Sequence, residues 1–241
     1  MQTCPIQVRQ QSRFMRTQDP ANIRADFDAA IGDIETAINA AEQAIHVDPA
    51  RKLIAEYSFV SAATLFEGFI SDLFVAYINR DSQRFRDHLL YHLNLQSDDE
   101  FAKRALPHVE KTMPHLSVEK IRGILDSNGY NVAFPTTDKM KESAGKWLAD
   151  ADKQRFTALT SEQCAVIALL KAIRNFLAHR SDSADIMMQD SLLSADLPAN
   201  FKRMVNNVSD VGAYLRANQQ GQSRLNLYLT YLKTLSAQLC P

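Results

Sequence analysis

Glycine and proline are scarce in this 241-residue chain, with 7 and 8 copies. Long stretches therefore carry none of the residues that turn or break a helix, which argues against a β-rich fold and for helices. No internal repeat or low-complexity tract is visible, so a solenoid is excluded. The 3 cysteines (Cys4, Cys164, Cys240) are odd in number, far apart and without metal spacing, which fits reduced thiols rather than a disulfide framework. No apolar run is expected to cross a bilayer. The N-terminal "MQTCPIQVRQQSRFMR" has basic residues but no apolar core, so the expected location is cytoplasmic, with no membrane partner. Charge of one sign is also missing. The formal net charge is −1, too low for non-specific binding of long nucleic acid, so any such contact must be local.

What remains is apolar periodicity. Ile23, Phe27, Ile31, Ile34, Ile38 and Ile45 describe a one-sided helix after a flexible 1–20 lead, and "VDPARK" ends it, with Asp48 as an N-cap. A second helix, near 50–79, is apolar on nearly every side and should be central. On it Glu67 shares a face with Leu53, Tyr57, Val60 and Phe74, where a carboxylate needs a wet edge or a cationic partner. The more polar stretch 81–150 reads as an inserted helical subdomain, with short helices near 82–94, 98–111 and 117–127. His88 and His92 stand one turn apart there, but no Glu or Cys completes a site, so no metal is expected. Thr160 and Gln163 form a capping-box pattern ahead of a helix running to about 179. A polar loop, a helix near 199–217 and a last amphipathic helix near 222–239 follow. The expected architecture is all-α, one domain over 21–241.

The end of the 160–179 helix carries "RNFLAHR". Advancing about 100° per residue, Val166, Leu169, Leu170, Ile173 and Leu177 form one apolar stripe. Arg174 falls at its border, and Asn175 and His179 point nearly the opposite way. Cys164, Ala165, Ala168 and Ala172 on that opposite side are all small, so a second helix or a substrate could come close. An Arg and a His at a helix end are more often a capping pair than a site. Yet His179 can move a proton near neutral pH, Arg174 can hold a phosphate at two points, and Asn175 can bond either. Lys171 and Arg180 flank them as candidate substrate-binding cations. Together these groups suit attack of a 2′-hydroxyl on the neighbouring phosphodiester, with no metal or other cofactor. One His per chain is short of the base and acid this needs, which points to a two-fold dimer meeting through the small-residue face.

At this point the chain resembles the HEPN family, whose ribonuclease members carry Arg, a polar residue and then His at this spacing. "FVSAATLFEGFISDLF" is similar to the Glu-bearing helix of the group linked to RiboL-PSP families, and "SVEKIRGILDSNGY" resembles that group too. The resemblance covers roughly 22–80 and 117–240. It implies a HEPN-like helical bundle and a metal-independent endoribonuclease, usually homodimeric with a composite site, and often a toxin or anti-phage defence effector. The RNA substrate and the identity of any antitoxin or defence partner do not carry over, because family members differ widely in them. It also implies roles: His179 as base or acid, Arg174 as transition-state stabiliser, Asn175 as polar auxiliary, and Glu67 as the acid that orients the Arg. Two rival expectations stand beside it. One is a HEPN-like module that binds RNA, nucleotide or protein without cutting. The other is a regulatory subunit whose Arg–His pair only ties helices together.

Overall fold

The computed structural model describes residues 18–96, 115–126, 131–203 and 207–241, with only the backbone described for 92–96. The fold is all-α, about 75% helical. Helix α1 (Pro20–Ala44) starts where expected: Pro20 occupies its first turn and the Asp19 carboxylate accepts the Ala21 N–H. Helix α2 (Asp48–Arg80) follows. Asp48 is its first residue, not the cap, and its carboxylate pairs with Lys52 and Arg216 instead.

Helix α2 is central, as its sequence implied. From Phe69 to Asn79 all its side chains but one, Asp72, are buried, since neighbours cover it all round. Its N-terminal half is one-sided, which the pattern did not predict: Leu53 is 49% exposed and Tyr57 68%. A further correction concerns hydropathy. Helix α2 is long and apolar enough by composition to cross a membrane, although most of that stretch is covered by the bundle.

Helices α3 (Gln83–Gln96), α4 (Val118–Leu125), α5 (Thr137–Trp147) and α6 (Asp150–Thr157) come next. The helix expected near 98–111 lies outside the described residues. Although the 81–150 stretch is polar in composition, Phe85, Ile121, Met140 and Leu148 join the same apolar core as α2. Described polar residues between them, such as Glu119, Lys120, Lys139 and Glu142, are exposed, and they give the region its polar composition. Helix α7 (Ser161–His179) opens with the expected capping box and ends at Arg180 in a left-handed conformation, φ 51°. A new helix, α8 (Asp182–Leu192), then takes the place of the expected polar loop. Its signal was present: the Ser181 side chain accepts the Ala184 N–H, and Asp182 and Asp185 favour the helix N-terminus.

Of the helix expected over 199–217, the described residues form only α9 (Val211–Arg216), and 204–206 lie outside them. Arg224 explains part of the loss. Its guanidinium donates to the carbonyls of Asn200, Lys202 and Tyr214, holding the chain in turns that a continuous helix could not form. A two-residue hairpin follows, β1 (Asn218–Gln219) and β2 (Gln222–Ser223), with Gln220 and Gly221 at positive φ as such a turn requires. Helix α10 (Arg224–Leu239) closes the bundle against α1 and α2.

Helices α2, α1, α4, α7, α9 and α10 make one bundle around α2. Helices α9 and α2 cross closely at Gly212, where an added Cβ would sit 2.6 Å from Lys52 Cβ and 2.9 Å from its backbone. Gly212→Ala should therefore push α9 off α2, costing about 1–3 kcal/mol in urea denaturation. A wild-type midpoint in that variant would contradict the close crossing.

Candidate active site

Four residues of α7 share a face: Ile167, Lys171, Arg174 and Asn175, at spacings of four, seven and eight. This face lies between the apolar stripe and the small-residue side. Helix α7 packs against α2, and the pairs Glu67–Arg174 and Glu56–Arg180 show that the two run antiparallel. Arg174 donates through Nη2 to Glu67 Oε2 at 2.6 Å and through Nη1 to Asn175 Oδ1 at 2.8 Å. Both Glu67 and Arg174 are partly buried. The cationic partner that sequence geometry suggested for Glu67 is thus Arg174, at an edge that is also partly wet. The guanidinium is held at two points and keeps further N–H groups for a ligand.

A third element completes the site. Residues 131–136 form an irregular strap between α4 and α5, bent at Pro135 and Thr136. The Val132 N–H donates to Ser71 Oγ on α2 at 2.8 Å. The Phe134 ring packs on Phe74, with centroids 4.5 Å apart. Lys171 Nζ donates to the Phe134 carbonyl and to that of Pro135 at 3.2 Å. Between strap, α2 and α7 lies a cavity of about 380 Å³, lined by Glu67, Lys171, Arg174 and Asn175 and by apolar side chains from all three elements. Burial pushes the Lys171 ammonium pKa below its ordinary value, Arg174 adds to this, and Glu67 opposes it.

His179 lies elsewhere. It is exposed at the end of α7, one turn or about 6 Å along the axis beyond Asn175. It is not among the residues lining the cavity. Arg180 turns to α2, where Nη2 donates to Glu56 Oε2 at 2.6 Å and the guanidinium stands over the Phe176 ring. Glu56 also accepts the Gly212 N–H, so the end of α7 is tied to both α2 and α9. Of the two flanking cations, Lys171 therefore faces the cavity and Arg180 pins a helix end, and each already has protein partners.

The small-residue face of α7 needs correcting. Ala172 is buried, and Cys164 and Ala165 pack against the core, leaving Ala168 exposed. Small side chains there admit the chain's own helices over part of the face, while Ala168 and His179 stay exposed. No group of three or more His, Cys, Asp or Glu side chains is gathered as a metal site among the described residues. The strap was missed in the sequence because it has no periodicity. Its one legible trace was Lys171, a cation one turn before Arg174 on a mostly apolar helix. Compared with protein-family models, with curated proteins and with solved structures, the chain matches none of them.

Proposed function

We propose that the protein is a metal-independent endoribonuclease of HEPN type. The observation that carries this reading is the Glu67–Arg174–Asn175 chain of hydrogen bonds, which fixes a permanent cation at the mouth of a cavity one helical turn from an exposed histidine. In the reaction, His179 takes the proton of a 2′-hydroxyl as its oxygen bonds to the adjacent phosphorus. The P–O5′ bond breaks, and the departing oxygen takes a proton from a general acid. Arg174 stabilises charge on the non-bridging oxygens. The products are a 2′,3′-cyclic phosphate and a 5′-hydroxyl.

A second copy of the chain would supply the acid as its own His179, making the enzyme a homodimer with a shared site. The same reading includes a toxin or anti-phage effector role in the cytoplasm beside an antitoxin or defence partner protein, whose identity the HEPN resemblance does not carry. The test is cleavage of total RNA and tRNA by purified protein with EDTA present, with the new ends analysed chemically. Cyclic phosphate ends are expected; complete dependence on added divalent metal, or 5′-phosphate ends, would sink the mechanism.

One observation favours a different reading. His179 makes no hydrogen bond or ion pair among the described residues and stands outside the cavity. A module that binds RNA or nucleotide through Arg174 without cutting would look the same. It is distinguished by RNA binding that survives His179→Ala with no cleavage by wild type.

Glu67 acts through Arg174 and is a positioning residue. Glu67→Ala should lower kcat by about 10–100-fold with little change in KM, because a misplaced guanidinium loses the transition state more than the ground state. Glu67→Gln, which keeps a hydrogen-bond acceptor, should recover part of the loss. Equal falls in the Ala and Gln variants would point to charge rather than position.

A further inference from the structure

We infer that the cavity between the strap, α2 and α7 is a nucleotide pocket, which seats one base of single-stranded RNA with its phosphate on Arg174 and Asn175. This rests on the ribonuclease or RNA-binding reading and says which part of the substrate the chain holds. Three independent features carry it.

The first is charge. Arg174 and Lys171 face the cavity against the single carboxylate of Glu67, so its polar side carries a net positive charge. Glu67 Oε2 and Asn175 Oδ1 are both occupied by Arg174. Glu67 keeps its other oxygen as an acceptor, and the Asn175 amide N–H groups have no partner among the described residues. Two cations and a free amide donor against one carboxylate favour an anion with several oxygens, such as a phosphate.

The second is shape. The rest of the wall is mostly apolar, with Ile70, Phe134, Pro135, Met140 and Ile167 beside Asn131, Thr136 and Thr137, and the volume of about 380 Å³ accommodates a nucleoside monophosphate. An inorganic anion alone would leave that wall against water. A flat ring with an apolar face and a polar edge covers it, as bases do on protein aromatic and aliphatic surfaces.

The third is the strap's backbone. It is neither helix nor strand, and the N–H and C=O of Ala133 bond to no other described residue. Beside it the Val132 N–H donates to Ser71, and the Phe134 and Pro135 carbonyls accept from Lys171. Lys171 thus braces the strap from within the cavity and leaves the Ala133 N–H and C=O to meet the edge of a base. Unstacked bases in single strands expose such edges, whereas duplex RNA does not.

Titration calorimetry with the four nucleoside 3′-monophosphates, and with inorganic phosphate alone, tests the inference on the full chain. At least one nucleotide should bind 10-fold or more tightly than phosphate. Ala133→Phe and Asn131→Phe fill the pocket from exposed positions on the strap. Each should weaken the nucleotide by at least 10-fold, leave phosphate binding unchanged and keep the wild-type thermal midpoint. Equal affinities for nucleotide and phosphate, or no binding of either, would overturn the inference, as would nucleotide binding undisturbed in two folded pocket-filling variants. The two readings fail separately. Metal-free RNA cleavage with an unchanged KM in both variants keeps the ribonuclease and removes the pocket. Nucleotide binding lost in the variants, with no RNA cut by wild type, keeps the pocket and removes the chemistry.

Discussion

His179→Ala should cut RNA about 10²–10⁴-fold more slowly than wild type, the range that a positioned proton-transfer group supplies. The same variant should melt within a degree or two of wild type, because the side chain is exposed and holds nothing else in place. That combination separates chemistry from structure: a histidine tying helices together would take stability with it. Arg174→Ala should be as damaging, by about 10²–10³-fold, through loss of charge stabilisation at the phosphate. Arg174→Lys sharpens the point. A lysine supplies the charge but not the planar fork that reaches Glu67 Oε2 and Asn175 Oδ1 at once, so it should restore only a small part of the rate. Single-turnover cleavage of a defined RNA in EDTA, beside thermal melts of each variant, checks all of this. Wild-type cleavage by either alanine variant removes the mechanism.

The helices of the bundle were legible wherever one face alternated with another at helical spacing. Helix α1 and the capping box of α7 emerged nearly to the residue, because Pro20, Asp19, Thr160 and Gln163 act locally. Errors arose where distant groups overrule local preference. The start of the span expected as a helix from 199 is held otherwise, because Arg224, more than twenty positions on, binds the carbonyls of Asn200 and Lys202. Leu53 and Tyr57 read as core residues from composition, and their exposure depends on which neighbours α2 acquires along its length.

The candidate site was legible in part for the same reason. Arg174, Asn175 and His179 stand close in sequence on one helix, so their relative directions follow from about 100° per residue. Glu67 is 107 positions away, but its place on an apolar helix marked it as needing a partner. The strap carried no such mark. Ser71, Val132 and Phe134 come together only through α2, and nothing about "NVAFPT" announces that it closes a cavity over a helix.

The largest stability effect should come from Phe74→Ala. Phe74 is fully buried on α2, with ring centroids 4.5 Å from both Phe134 and Phe156 and 6.2 Å from Trp147. One ring therefore joins the central helix to the strap, to α5 and to α6. Truncation removes the buried surface and leaves a void that four separate segments must share, which costs about 3–5 kcal/mol. The aromatic pairs add to the ordinary apolar term, so Phe74→Leu should recover much, not all, of the loss. In urea the midpoint should fall with the slope unchanged, since the same chain unfolds from nearly the same surface. A cost below about 1 kcal/mol would mean that the aromatic cluster is not packed as described. The variant also links core to site. Phe134 forms the pocket wall on one side and rests on Phe74 on the other, so nucleotide affinity should fall together with stability in Phe74→Ala. In Ala133→Phe, which fills the pocket from its open side, affinity should fall alone.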